Sequence, residues 1–230
     1  MTHPKLEQLY NKFWMNFTDA LPKSVSYNPP SGNAFTINKI TDTEFSIELK
    51  VDFKRLRYKS SNKRSNLALQ VRGNKKCSYA DGNEPLITYS NVKVYYFEYE
   101  ERKDPFILSL IESLHYDYET RENELKNHPV YHCQFGSYKK ESFFGRNDYV
   151  LGNPNKCVHH HQIRIPTANM DMISVLLSIT ADHLSPQDFK KILDVYDNGD
   201  WHNKFPHISH HPNGFDPKNC YRSRAWYIDP

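Results

Sequence analysis

The sequence predicts an α+β fold: an antiparallel sheet with an N-terminal helix and two C-terminal helices packed on one face. Three observations carry this. Apolar residues near the N-terminus recur at steps of three and four, the period of a helix with one buried stripe. From residue 34 the step becomes two and holds through the middle of the chain, as in half-buried strands. After residue 167 the helical step returns, with start signals. Strands gathered between helices, rather than alternating with them, favour α+β over a parallel α/β sheet. The 230 residues suffice for one well-buried core and are read as a single domain. Residues 1–32 are its helix and loop, 33–166 mainly β, 167–199 two helices, and 200–230 an irregular tail rich in His and Pro.

The first helix is marked by Leu6, Leu9, Tyr10, Phe13, Phe17 and Leu21, and Pro22 with the Asn28-Pro29-Pro30-Ser31-Gly32 run ends it. A strand over 35–40 turns at Asp42-Thr43 into a second, where Phe45, Ile47, Leu49, Val51 and Phe53 alternate with polar neighbours. Leu67, Leu69 and Val71 continue the alternation, with Gln70 and Arg72 outward. Residues 92–99 are apolar on both faces, which suits a central strand. Residues 106–118 fit a strand or a helix, and the Leu114-His115-Tyr116-Asp117-Tyr118 end leans to strand. Thr167 or Asn169 is the expected cap of a helix over 170–183. Ser185-Pro186-Gln187-Asp188 opens the next, with Ser at the cap, Pro at the first helical position and an acid in the first turn; Asn198-Gly199 stops it.

Composition narrows the function. Hydrophobic residues make up 38% of the chain, and sixteen Tyr and thirteen Phe point to an aromatic-rich core. No apolar run reaches the ~18 residues of a membrane span, and the N-terminus lacks the pattern of a secretory signal, so a cytoplasmic protein without membrane contact is expected. Cys77, Cys133, Cys157 and Cys220 form no CxxC pair and read as free thiols. Nucleotide-binding, dinucleotide-binding, serine-hydrolase and HExxH motifs are absent from the sequence. Residues 53–80 carry nine basic side chains and no acid: Lys54, Arg55, Arg57, Lys59, Lys63, Arg64, Arg72, Lys75 and Lys76. The whole chain is +3, so the remainder is −6. Such a run is either a solvated face or, interleaved with Tyr58 and Tyr79, a phosphate-backbone footprint.

Two segments carry candidate chemistry: His-Pro-Val-Tyr-His-Cys-Gln-Phe-Gly over 128–136 and Cys-Val-His-His-His-Gln-Ile-Arg-Ile-Pro-Thr over 157–167. Each contains His-x-Gln. Strand parity puts His132 and Gln134 on one face, and His160, Gln162 and Arg164 on one face. Were the two strands neighbours, two imidazoles, two amides and a guanidinium would meet on one surface, able to bind a phosphate and move its protons. Arg164-Ile165-Pro166 ahead of a helix adds a candidate anion site at the helix N-terminus. A divalent metal, Zn²⁺ or Mn²⁺, held by three ligands from Asp117, His128, His132 and His159-His160-His161 is the second enzymatic reading, since alternate residues of a strand point the same way, but it is not the favoured one; a further His cluster, His207, His210 and His211 with Cys220, has no zinc spacing. The bland alternative is a strand whose wet face simply carries His and Gln.

The pattern is similar, by analogy, to two-histidine phosphoesterases, with Gln where those enzymes place a hydroxyl residue. Over residues 90–185, Tyr116-Asp117-Tyr118, His128-Pro129-x-x-His132-x-Gln134-Phe135-Gly136 and Arg164-Ile165-Pro166-Thr167 resemble a bacterial family of unknown function, and more loosely small RNase-like toxins. The resemblance implies a defence or toxin–antitoxin setting and singles out Asp117, His132, Gln134 and Arg164. The expectation is therefore a phosphodiester-handling, RNase-like protein with His132, His160, Gln134, Gln162, Arg164 and Asp117 as catalytic residues. RNA is favoured over DNA as its partner. The alternative is a non-catalytic nucleic-acid-binding or partner-binding subunit of the same kind of system.

Overall fold

The computed structural model describes residues 3–29, 32–56, 67–79, 86–100, 107–119, 131–136, 138–152, 164–166 and 171–205. For Leu86, Glu119, Tyr131, His132, Arg164, Ile165, Pro166, His202 and Asn203 it describes the backbone alone. In chain order the elements are α1 (His3–Ala20), β1 (Ser26–Asn28), β2 (Phe35–Lys39), β3 (Glu44–Leu56), β4 (Leu67–Ser78), β5 (Leu86–Glu100), β6 (Ile107–Glu119), β7 (Tyr131–Phe135), β8 (Val150–Leu151), β9 (Arg164–Pro166), α2 (Met172–His183), α3 (Pro186–Asn198) and α4 (Trp201–Lys204). The strands form one sheet in the order β1-β3-β4-β5-β6-β7-β9. β2 also pairs with β3, and β8 pairs with β6 as the single parallel contact among the described strands. This is the α+β architecture the sequence predicts.

Period-two alternation decides which face each residue meets. Phe45, Ile47, Leu49, Val51 and Phe53 of β3 are all buried on the face that α1, α2 and α3 cover. Register carries that face across the sheet: Val51 lies opposite Val71, Val71 opposite Val94, Val94 opposite Leu114 and Leu114 opposite Phe135. α1 adds Leu6, Tyr10, Phe13, Trp14 and Phe17 to this core. Phe13 meets the edge of Trp201 at 5.6 Å and Tyr10 meets Phe35 at 4.9 Å, tying α1 to α4 and β2. Burying each such ring contributes roughly 2–3 kcal/mol.

Residues 92–99 lie in β5, the middle strand, with Val92 and Val94 buried on the helix-covered face and Tyr95, Phe97 and Tyr99 buried on the far face, which has a cover of its own. The segment 138–152 folds over one end of it, setting Phe143 and Tyr149 against Ala68, Tyr95, Phe97, Tyr99, Leu108 and Leu110. Polar contacts pin the segment. Phe144 N–H donates to Asp52 Oδ2 at 2.7 Å, and Gln70 Nε2 donates to the Ser142 carbonyl at 2.9 Å. Arg72 pairs with Asp52 at 2.9 Å and with Glu141 at 2.9 Å. Gln70, expected outward in water, does point away from the helices but is fully buried beneath this segment.

Two local details differ from expectation. α2 begins at Met172, capped by Asp171 rather than by Thr167 or Asn169, which lie outside the described residues. α3 starts as expected, Ser185 accepting from Asp188 N–H with Pro186 in the first turn. The tail expected to be irregular opens with α4, whose Trp201 is buried against the first core. No helix among the described residues is long and apolar enough to cross a membrane.

Candidate functional site

The far face of the sheet, beyond the edge of the 138–152 cover, is polar, and strand register fixes its membership. One row runs Lys50, Arg72, Lys93, His115, Gln134, Arg164 across β3, β4, β5, β6, β7 and β9. The next runs Glu48, Asn74, Asn91, Asp117, His132, Pro166. A third holds Ser46, Lys76, Tyr89 and Glu119. Directly opposed residues share a face with Cβ atoms ~4.5–5.5 Å apart.

Asp117 is the centre of this face. Its carboxylate accepts from Asn91 Nδ2 on one oxygen and from Gln134 Nε2 at 3.2 Å on the other. Two amides on the flanking strands therefore hold it, and its register partner on β7 is His132. Asp117, His115 and Gln134 are each half-buried, so the group is partly screened from water, and His115 Nε2 itself is enclosed. His115 lies two residues before Asp117 on the same strand and face, opposite Lys93 and Gln134. A Cβ at Gly136 would lie 2.3 Å from His115 Nε2, so only glycine there leaves room for the imidazole. Tyr95 presents an edge contact to the same ring at 6.4 Å.

Of the predicted catalytic residues, Asp117, His132, Gln134 and Arg164 fall on this one face, with Gln134 directly opposite Arg164. β9 pairs with β7, so the end of the second His-rich segment neighbours the first. His160 and Gln162, with His128 and His159 to His161, lie outside the described residues. So does the cluster His207, His210, His211 and Cys220. Among the described residues no group of three or more His, Cys, Asp and Glu side chains is placed to hold a metal.

The basic run does not form one surface. Arg57, Lys59, Lys63 and Arg64 lie outside the described residues. Lys75 is a correction: it points to the helix-covered face, is fully buried, and pairs with Asp171 at 3.0 Å. It cannot meet a phosphate backbone. Parity explains this, since Lys75 and Lys76 are neighbours on one strand and face opposite ways. Lys54 stands over the Phe144 ring at 4.3 Å, Arg55 is exposed at a bulge, and Arg72 is committed to Asp52 and Glu141. Lys76 remains exposed. The expected anion site at the start of the helix after Pro166 is likewise filled, because Asp171 already accepts from Ile173 and Ser174 N–H at 3.1 and 3.0 Å.

Cys133 shows the opposite face in the same strand. Burial pushes its thiol up to about 11, so it stays protonated at neutral pH and is no nucleophile. His115, Asn91 and Lys93 were missed from the sequence. A signal existed: stepping back by two from Asp117 reaches His115. Asn91 and Lys93 need the β5–β6 register, which no local pattern supplies. No family model matches the chain, and no curated protein or solved structure matches it.

Proposed function

We propose that the polar face of β5, β6, β7 and β9 binds and cleaves a phosphodiester, RNA in the first instance, by imidazole acid–base chemistry. The register that gathers His115, Asp117, His132, Gln134 and Arg164 is the observation that supports it. In RNA the reaction needs a base to take the 2′-hydroxyl proton and an acid to protonate the departing 5′-oxygen, while the 2′-oxygen attacks phosphorus and the P–O5′ bond breaks. His132 and His115 occupy diagonal positions on adjacent strands, a separation of roughly 7 Å that a phosphate can bridge. In this reading Asp117, opposite His132 in the register and held by two amides, orients an imidazole, and Gln134 and Arg164 bind phosphate oxygens. His160 and Gln162 belong to the same proposal through the parity of their segment. A bacterial defence or toxin–antitoxin role is the setting the motif resemblance implies, and is proposed on that basis alone.

The test is cleavage of a mixed-sequence RNA by the purified chain, with and without divalent cations, followed by His132→Ala and His115→Ala. Each should lower the rate on the order of a hundredfold or more, since positioned acids and bases are worth ~10²–10⁴. Folded His132→Ala protein cleaving at the parent rate would reject the histidine mechanism. A parent that binds RNA and never cleaves it would turn the assignment to the non-catalytic binding subunit.

A further inference from the structure

The 138–152 cover is tied at both ends to the strand that carries His115. Gly136 N–H, two residues ahead of Tyr138, donates to the Ser113 carbonyl at 3.0 Å, and Gly152 N–H donates to the Leu108 carbonyl at 2.6 Å. Between these ties a row of rings leads from the cover to the site. Tyr138 meets Tyr95 edge-on with ring centres 4.9 Å apart, and Tyr95 meets His115 edge-on at 6.4 Å. Tyr138 is itself fixed, its hydroxyl 2.5 Å from that of Tyr149, which donates to the Glu141 carbonyl at 2.6 Å. The tip of the cover is strained. Phe143 and Arg146 exchange backbone hydrogen bonds of 2.9 and 3.0 Å around Phe144 and Gly145, whose φ values are 51° and 73°. Such a left-handed pair suits Asn-Gly, and a phenylalanine stays in it only where its surroundings hold it. Asp52, accepting from Phe144 N–H, and Lys54, over the Phe144 ring, do so here. Residues 139–142 and 145–148 are exposed, while Phe143 and Tyr149 are buried against the sheet.

From this we infer that the cover is a latch on the candidate site, with Tyr138 and Tyr95 as positioning residues for His115. The inference rests on the phosphodiester function proposed above and names how that site is regulated. With the latch closed, Tyr138 holds Tyr95, and Tyr95 and Gly136 together bound the imidazole. With it lifted, the ring loses one wall, and β7, which runs into the cover two residues after Gly136, is freed at its end. Neither tyrosine touches the substrate; each acts through His115. A strained tip caught by one carboxylate, on a segment whose outer side is exposed, suits an element that lifts without unfolding the sheet beneath it. The coupling is reciprocal: a ligand that needs His115 in place favours the closed cover, and whatever lifts the cover idles the site.

The experiment follows the imidazole signals of the full chain by NMR, with His115→Gln identifying that of His115, alongside RNA cleavage and trypsin digestion. Tyr138→Ala should move the His115 signal towards that of an unrestrained histidine and lower kcat about tenfold or more, with KM within about twofold. Tyr138→Phe keeps the ring on Tyr95 and should stay within about threefold of the parent kcat, its His115 signal unmoved. Ser185→Ala, on α3, controls for lost stability and should leave both the signal and kcat alone. Bound polyuridine, with binding read by anisotropy, should slow cutting after Lys139 and Lys140 in the parent. Urea midpoints establish that each variant is folded. A parent His115 signal in folded Tyr138→Ala, an equal change in Tyr138→Phe or Ser185→Ala, or cutting that bound polyuridine does not slow would overturn the inference. If the parent cleaves RNA while Tyr138→Ala keeps the parent kcat, the latch alone is wrong. If the parent neither binds nor cleaves RNA, the proposed function falls and the latch with it.

Discussion

Lys75 and Asp171 form an ion pair inside the helix-covered core, and replacing the lysine by methionine tests how much α2 depends on it. The ammonium is 0% exposed and the carboxylate sits at the N-terminus of α2, accepting from two backbone N–H groups as well. Lys75→Met keeps the aliphatic volume and removes the charge. It leaves Asp171 buried with its two cap bonds and no cation. Breaking a buried pair from one side costs about 3–5 kcal/mol, because the remaining charge is uncompensated. The cap bonds belong to Asp171 and survive, so the lower half of that range, about 3–4 kcal/mol, is expected at pH 7. Asp171→Asn strands the ammonium instead and should cost a similar amount. Adding Asp171→Asn to Lys75→Met removes the second charge and should recover most of the loss, which a double-mutant cycle in urea measures.

The same pair gives a pH signature with a definite sign. Burial alone would raise the Asp171 carboxyl, but the Lys75 ammonium and the Ser174 N–H outweigh it and hold the group below the usual carboxylate range. A depressed carboxyl stabilises the fold fully above its unfolded value of ~3.9, and that contribution fades as pH falls through the lower folded value. In Lys75→Met burial is no longer opposed by the ammonium, so the carboxyl should rise and accept a proton more readily. The stability gap between parent and variant should therefore narrow as pH drops from 7 towards 4. A gap that is under about 1 kcal/mol at pH 7, or that does not change with pH, would refute the reasoning.

Four further outcomes are expected. Gly136→Ala drives a methyl into the His115 ring and should cost about 1–3 kcal/mol in urea unfolding, with loss of any RNA cleavage beyond that of an equally destabilised core variant. Gln134→Leu removes one of the two amides on Asp117 together with a proposed phosphate contact, and should lower cleavage and RNA affinity together, read as a fall in kcat with a rise in KM. Arg72→Met uncovers Asp52 and should release the 138–152 cover, seen as faster trypsin cutting after Lys139 or Lys140 while the helix-covered core stays protected. Ser185→Ala deletes the cap of α3 and should cost about 1 kcal/mol in thermal or urea unfolding.

Periodicity made most of the sheet legible. Alternation over 45–53 named the buried face of β3 correctly, and residues 92–99, apolar on both sides, proved to be the middle of the sheet. Ser185-Pro186 marked a helix start because capping chemistry is local. Lys75 and Gln70 were misjudged for one reason: polarity predicts solvent only when no distant partner exists. Asp171 lies 96 residues from Lys75, and Ser142 lies 72 residues from Gln70. Asp117, Gln134 and Arg164 could be placed on faces by parity within each strand. That Asn91 and Lys93 join them depends on hairpin register across β5 and β6, and this is set by the whole ladder.

Strand length divides the candidate site into a rigid half and a labile one. Asn91, Lys93, His115 and Asp117 stand on β5 and β6, paired with each other along most of their lengths. His132 and Gln134 stand on the five residues of β7, and Arg164 on the three of β9. Among the described residues few backbone bonds hold these last strands, and they should part from the sheet at a small fraction of the free energy needed to unfold it. Amide hydrogens of β7 and β9 should exchange through such openings while those of β4 and β5 wait for global unfolding. Each opening dismantles the site without disturbing the core, which makes the docking of two short strands the step where a bound strand of RNA, or any other ligand, can shift the balance between assembled and idle protein.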